Sequence, residues 1–362
     1  MSSFLPTRLK NCLLFLFLCC LPTQLGKHFW PAWSLIKGVR IDYLSPTIYF
    51  VDILAAGLIL PRFFKSLKSV NLVFWPLAVL NILIAGNKWL ALTGWLRILE
   101  IYLVYLTLKP EKELIRKYLG YIIPFWIILE GGLGLTQVIN GGSLQGVFYW
   151  LGERRFNLNT IGIAKISFYG REILRAYGTF SHPNSLAGFL LITLELWRYY
   201  SSGWFYWLIR GLGLVTIIFS ASRAAWLLLI INSPFRIYGL LFLALFGVFS
   251  GWDPLSWTKR LTLNNEAVKL FLKHPLLGIG WNNYLSQSHF YQPVHNIYLL
   301  ILSQLGLIPT LILGSAIRSK IAPQKWPKRI WLIILITSLF DHYWLTLPQN
   351  WWLLTLCFIL YF

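Results

Sequence analysis

Charge is what this chain has least of. Charged side chains make up 12% of its 362 residues, about half of the roughly 25% usual in soluble domains. That deficit excludes an ordinary water-soluble fold. Acidic groups are the scarcest: 12 Asp and Glu stand against 32 Lys and Arg, a formal net charge of +20. Also missing are H-E-x-x-H, a P-loop and G-x-S-x-G, which argues against a zincin, an ATP-driven enzyme and a typical serine hydrolase. No D-x-D pair marks a metal–nucleotide-sugar site. The four cysteines, Cys12, Cys19, Cys20 and Cys357, fall in apolar runs without metal-type spacing and read as small apolar residues. No metal and no cofactor is therefore expected. No RNA or DNA module accompanies the basic excess, so nucleic acid is not an expected partner. A membrane surface or a phosphorylated lipid is.

What the chain has instead is apolar sequence, 57% of it. Many runs approach the ~20 residues that a spanning helix takes. They fall at roughly 11–26, 46–61, 70–86, 89–108, 118–139, 183–199, 204–220, 222–233, 237–251, 296–317, 330–346 and 348–361. The run at 222–233 is short, and the count drops to eleven or ten if it is re-entrant or merges with a neighbour. The expected fold is an all-α polytopic integral membrane protein of about 10–12 transmembrane helices with two long outer loops. Arg8 and Lys10 before the first run mimic a signal peptide, but no A-x-A-like site follows, so a retained first helix is expected.

The short loops orient the chain. Arg8 and Lys10; Arg62, Lys65 and Lys68; Lys109, Lys112, Arg116 and Lys117; and Arg318, Lys320, Lys325, Lys328 and Arg329 fall on one side. That side is cytoplasmic by the positive-inside rule, with both termini inside. The layout is then N-terminal transmembrane helices over 1–139, a first outer loop over 140–182, and a region over 183–362 that carries a second outer loop at 252–295. Both outer loops are basic: Arg154, Arg155, Lys165, Arg171 and Arg175 in one, Lys259, Arg260, Lys269 and Lys273 in the other. An anionic ligand at the outer face would account for them, as would solvent or anionic headgroups. Within the second loop, Leu261–Lys273 reads as a short helix ended by Pro275, suited to lie on a membrane.

Polar islands mark the ends of these runs. Arg175–Gly188 reads RAYGTFSHPNSLAG, an Arg- and His-bearing stretch just before an apolar run. Ser181 suits the N-cap of a helix beginning near Pro183. That leaves Arg175, His182 and Asn184 unexplained by capping. A helix N-terminus favours an anion, and Arg175 adds bidentate phosphate recognition. Arg223, after Ser220-Ala221-Ser222, is a second candidate phosphate ligand. His295 and Asn296 sit at a loop-to-helix junction, where a neutral imidazole can take a proton from a hydroxyl. Asp341 and His342 near the outer end of 330–346 are candidates to join the site. Asp52, Arg97, Glu100, Glu130 and Glu195 lie inside apolar runs and require partners, Arg97 and Glu100 being placed to pair with each other.

The segments Gly178-Thr-Phe-Ser-His-Pro-Asn184-Ser-Leu-Ala187, Ser220-Ala-Ser-Arg223, His274-Pro-Leu-Leu-Gly278-Ile-Gly280, and His295-Asn296 with Gly306 after ten residues resemble the O-antigen ligase and polymerase superfamily. The resemblance covers about 170–315, and the chain is short for that superfamily. It implies a metal-independent glycosyltransferase at the outer, periplasmic face of the cytoplasmic membrane. The donor would be a glycan on undecaprenyl diphosphate and the acceptor hydroxyl would sit on a lipid or another glycan. It further implies that His295 is the catalytic base and that Arg175 and Arg223 bind the diphosphate, with His182, Asn184, Asn296 and Asp341 as accessory candidates. Ligase and polymerase remain open alternatives, as does transfer to protein hydroxyls. A lipid-linked glycan transporter and a non-catalytic assembly subunit are the readings from other classes.

Overall fold

The computed structural model describes residues 6–168, 170–232, 254–321 and 328–361. The apolar run at 237–251 lies outside the described residues. Elsewhere the runs become helices: α1 (Thr7–Cys19), α2 (Phe50–Ile59), α3 (Phe63–Lys68), α4 (Phe74–Ile84), α5 (Lys88–Leu108), α6 (Lys112–Asn140) and the short α7 (Val147–Trp150) in the first half. The second half adds α8 (Pro183–Trp197), α9 (Gly203–Phe219), α10 (Arg223–Asn232), α11 (Pro254–Lys273), α12 (Tyr284–Gln287), α13 (Ile297–Leu305), α14 (Leu307–Ile321), α15 (Lys328–Phe340), α16 (Tyr343–Thr346) and α17 (Pro348–Tyr361).

The expected helical character is observed, with small additions in the loops. The chain is mostly helical, but its loops carry three antiparallel pairs: β1 (Gly26–His28) with β4 (Thr47–Tyr49), β2 (Leu35–Ile36) with β3 (Val39–Arg40), and β5 (Lys165–Phe168) with β6 (Arg171–Leu174). Segment 26–49 is thus a third ordered loop beside the two that the apolar spacing suggests.

Helix lengths also fall short of twelve full spans. Among the described residues, the helical stretch Lys88–Asn140 is long and apolar enough to cross a membrane, and the pair Ile297–Leu305 with Leu307–Ser315 would be a second if counted as one span. Most other runs yield helices of 10–17 residues, or roughly 15–25 Å at 1.5 Å per residue, short of a ~30 Å hydrocarbon core. The run at 296–317 is not one straight helix: it bends by 116° at Gly306. The run at 330–346 stops at Phe340, so Asp341 and His342 form a turn before α16. The second-loop helix is longer than expected and starts at Pro254.

Helix α8 is the hub. Every residue of it except Asn184 is buried, and it packs against α6, α9, α10, α15 and α17. A helix apolar on all sides must be enclosed on all sides. The outer helices α4 and α9 expose large apolar side chains and bury a few polar ones among apolar neighbours. On α4 the exposed side chains are Trp75, Val79, Leu80, Leu83 and Ile84, while Asn81 is buried. On α9 Trp204, Trp207 and Leu208 face outward, and Arg210 and Thr216 face inward.

The long helix α6 links two ends of the molecule. At its start Glu111 pairs with Lys10 at 2.9 Å and Arg62 at 3.4 Å, and Arg116 donates to the Leu360 carbonyl at 3.1 Å. Both ends of the chain therefore meet this end of α6. Near its other end Glu130 and Gln137 hold the 178–179 turn. Glu111 and Gln137 are separated by on the order of 40 Å of helix.

Candidate functional site

The first island is fastened from below by α6. Gln137 accepts from the Gly178 N–H at 2.8 Å and donates to the Gly178 carbonyl at 2.9 Å. Glu130 accepts from the Thr179 N–H at 2.8 Å and from its hydroxyl at 2.9 Å. Glu130, a carboxylate inside an apolar run, thereby finds its partner in the island itself. Neither its role nor that of Gln137 was readable beforehand, because nothing local in α6 points to residue 178. The other buried ions pair nearby: Arg97 with Asp52 at 2.7 Å and with Glu100 at 2.5 Å, and Glu195 with Arg198 at 3.2 Å.

Arg175 follows β6 directly. Its Nε donates to the Ser220 carbonyl at 2.6 Å and its Nη2 to Asn184 Oδ1 at 2.6 Å. The guanidinium is thus held in one orientation between two of the islands. Burial, with Arg223 and Arg260 close by, pulls it down to about 10 despite Tyr177 and Asp341. It stays fully charged near neutral pH. The Ser220 carbonyl is presented by a turn in which Ala221 takes φ +50°, a left-handed conformation that costs an L residue roughly 1–2 kcal/mol. Arg223 is exposed and begins α10.

His182, not Ser181, caps α8: its Nδ1 accepts from the Asn184 N–H at 3.1 Å. The expectation for Ser181 is corrected. Its carbonyl instead accepts from Arg154 at 2.9 Å. Burial pushes the His182 imidazole down to about 3 against the pull of Asp341, with Arg175, His295 and His342 acting in the same direction as burial. The ring is neutral, as a cap that accepts a hydrogen bond must be.

Asn184 connects the island to the far end of the chain. Its Oδ1 accepts from Arg175 and its Nδ2 donates to Asp341 Oδ2 at 2.8 Å. Asp341 Oδ1 accepts from the His342 N–H at 2.8 Å and lies 3.5 Å from His295 Nδ1. That nitrogen is buried and makes no hydrogen bond. The rings of His295 and His342 are 5.1 Å apart, centre to centre. Tyr43, from the unexpected 26–49 loop, meets His342 edge-on at 5.4 Å. The Asp341 turn is seated on α8 at Gly188, where a Cβ would come within 2.4 Å of the Tyr343 hydroxyl. Arg260 of α11 donates to the Phe340 carbonyl at 3.2 Å, adding a cation beside the turn.

Of the expected site residues, Arg175, His182, Asn184, His295 and Asp341 come together from positions more than 150 residues apart, and Arg223 acts on Arg175 from nearby. Asn296 does not join them by a bond; its Oδ1 accepts from the Leu299 N–H at 3.1 Å and caps α13. His342 belongs to the cluster as fully as His295. The third motif has a different task. Ile279 and Gly280 N–H groups donate to the Ser303 and Gln304 carbonyls at 3.0 Å, and the Leu307 N–H donates to the Pro275 carbonyl at 2.8 Å. The HPLLGIG segment is therefore packed, backbone on backbone, against the bend at Gly306.

No protein-family model matches the chain, and neither the curated proteins nor the solved structures contain a match. The cluster offers imidazoles beside a carboxylate, an oriented guanidinium, and further arginines at the rim. Such a set can take a proton from a hydroxyl and hold an anion.

Proposed function

We propose that the chain is a polytopic membrane glycosyltransferase of the O-antigen ligase type. It moves a glycan from undecaprenyl diphosphate to an acceptor hydroxyl at the outer face of the cytoplasmic membrane, without a metal or cofactor in the reaction. The observation that carries this reading is the convergence of Arg175, Asn184, His295 and Asp341 into one network. The exposed apolar side chains of α4 and α9 support the membrane part, since an apolar solvent is what such faces suit.

In this reading the acceptor O–H gives its proton to Nε2 of His295, and Asp341 steadies the imidazolium from the Nδ1 side. The 3.5 Å separation shortens as the ring gains charge, as catalytic contacts commonly do on binding. The acceptor oxygen bonds to the anomeric carbon while the bond to the diphosphate oxygen breaks. The diphosphate leaves with the electron pair, and Arg175 with Arg223 meets its growing charge. Polymerisation onto a second lipid-linked glycan uses the same steps with another acceptor. A transporter is favoured by one observation, the broken pair α13–α14, since discontinuous helices line transport sites.

The test uses purified protein in nanodiscs with lipid-linked oligosaccharides from host membranes, followed by mass spectrometry. Longer lipid-linked glycans from donor alone identify a polymerase. Transfer only after host envelope lipid is added identifies a ligase. His295→Ala is expected to lower the rate roughly 10²–10⁴-fold. Equal rates for folded wild type and variant would overturn His295 as base. Lipid-linked glycan crossing a proteoliposome bilayer without bond cleavage would replace the enzyme reading with the transporter.

A further inference from the structure

The pair His295 and Asp341 does not stand alone. One donor atom from each of His295, Asp341 and His342 lies within 4.8 Å of the other two. Two imidazoles and a carboxylate are the donor set of three-ligand zinc sites that keep a fourth position open. The spacing fits that chemistry. His295 Nδ1 and Asp341 Oδ1 are 3.5 Å apart, within ion-pair reach but without a hydrogen bond. Ligands about 2.1 Å from a tetrahedral ion sit about 3.4 Å from one another.

The surroundings hold the donors in the right form. The Thr346 hydroxyl donates to the His342 carbonyl at 3.1 Å. With the hydroxyl proton on that carbonyl, its oxygen, 2.6 Å from His342 Nδ1, accepts from Nδ1–H, the tautomer that leaves the lone pair on Nε2. This outer contact fixes tautomer and ring orientation as the supporting bonds of metal-binding histidines do. Asn184 restrains the second Asp341 oxygen at 2.8 Å. The His295 side chain keeps 19% of its surface exposed while Asp341 keeps 8%, so an ion has a way in and, once bound, little water around it. Two nitrogen donors favour zinc over magnesium or calcium.

We propose that His295, Asp341 and His342 form a zinc-binding site. Zinc there takes the Nδ1 lone pair of His295, which forces the proton onto Nε2. The nitrogen assigned to receive the acceptor proton is then already protonated, so zinc inhibits transfer. The inhibition rests on the glycosyl-transfer reading; the binding does not.

Three measurements on the full chain in nanodiscs, zinc calorimetry, cobalt absorption and glycan transfer with zinc present, separate them. Calorimetric titration with Zn²⁺, in competition with a chelator, is expected to give one tight site per chain. Asp341→Asn and His342→Gln should each weaken it at least ~10-fold, and serine replacement of all four cysteines should leave it unchanged. Cobalt(II) in place of zinc is expected to give a tetrahedral absorption spectrum without thiolate charge-transfer bands, a readout on wild-type protein that needs no variant to fold. Binding lost with the cysteines, thiolate bands, or no stoichiometric binding would overturn the site. Zinc that binds in calorimetry and leaves an active enzyme's glycan transfer unchanged would overturn the inhibition and keep the site.

Discussion

His182 shows how a single side chain serves as scaffold while sitting beside the chemistry. Its Nδ1 accepts the Asn184 N–H, and Asn184 is the residue that ties Arg175 to Asp341. A protonated ring cannot accept that bond. Burial holds the folded-state value at about 3, while an unfolded histidine titrates near 6.5. Between those values the unfolded chain binds a proton that the folded chain refuses. Stability contributed by neutral His182 is complete above about 6.5 and drains away as the pH falls toward 3. Thermal unfolding in detergent should therefore show a larger loss from pH 7 to pH 5 for wild type than for His182→Asn, which keeps a capping oxygen and does not titrate. Equal losses would remove the cap from the account. The sequence made Arg175, Asn184 and Asp341 legible as ionic or polar groups beside apolar runs. The cap was legible only in part, since Ser181 and His182 both precede Pro183 and the choice between them depends on which side chain turns back over α8.

At the scale of elements, the bend at Gly306 is the feature that length and composition hid. The run 296–317 is mostly apolar and carries no charge, and a glycine inside such a run marks no boundary by itself. The break depends on Gly278, far upstream. Gly306 takes φ +70° and an added Cβ would lie 2.5 Å from the Gly278 nitrogen; Gly278 takes φ +72° and its Cβ would lie 2.4 Å from the Gln304 carbonyl carbon and oxygen. The neighbours are backbone atoms and cannot swing aside. Gly306→Ala is expected to destabilise by about 2 kcal/mol or more, from left-handed strain plus contact, and to lower the unfolding midpoint measured in detergent. The nearby Gly314, where an added Cβ meets nothing within 4 Å, is the control: Gly314→Ala should be neutral or slightly stabilising in helix α14. Similar effects at both would mean that the bend is not held by this contact. The small hairpins were hidden for a different reason. Strands of two to four residues are too short to show alternation, yet one of their loops brings Tyr43 to His342.

Across the whole molecule, charge and topology make one argument. Members of three of the four basic groups that orient the chain by the positive-inside rule gather at one end of α6: Lys10 and Arg62 share Glu111, and Arg116 reaches the Leu360 carbonyl. The candidate site lies toward the opposite end of α6, where Glu130 and Gln137 grip the first island. The intervening helix, on the order of 40 Å, exceeds the ~30 Å of a bilayer core. The proposed transfer from a lipid-borne donor at the outer face requires the two ends to face different compartments. The test is a chain with its four cysteines replaced by serine and one cysteine returned at a time. Asn159→Cys, exposed in the first loop, is expected to react with a membrane-impermeant maleimide in intact spheroplasts. Lys117→Cys, exposed near the Glu111 end, should react only after permeabilisation. The reverse pattern would put the site in the cytoplasm, where the positive-inside rule fails and an outward-facing donor cannot reach it. Reaction of both in intact spheroplasts would mean that α6 does not cross the bilayer, and the exposed apolar faces of α4 and α9 would then need an aqueous partner surface instead of lipid.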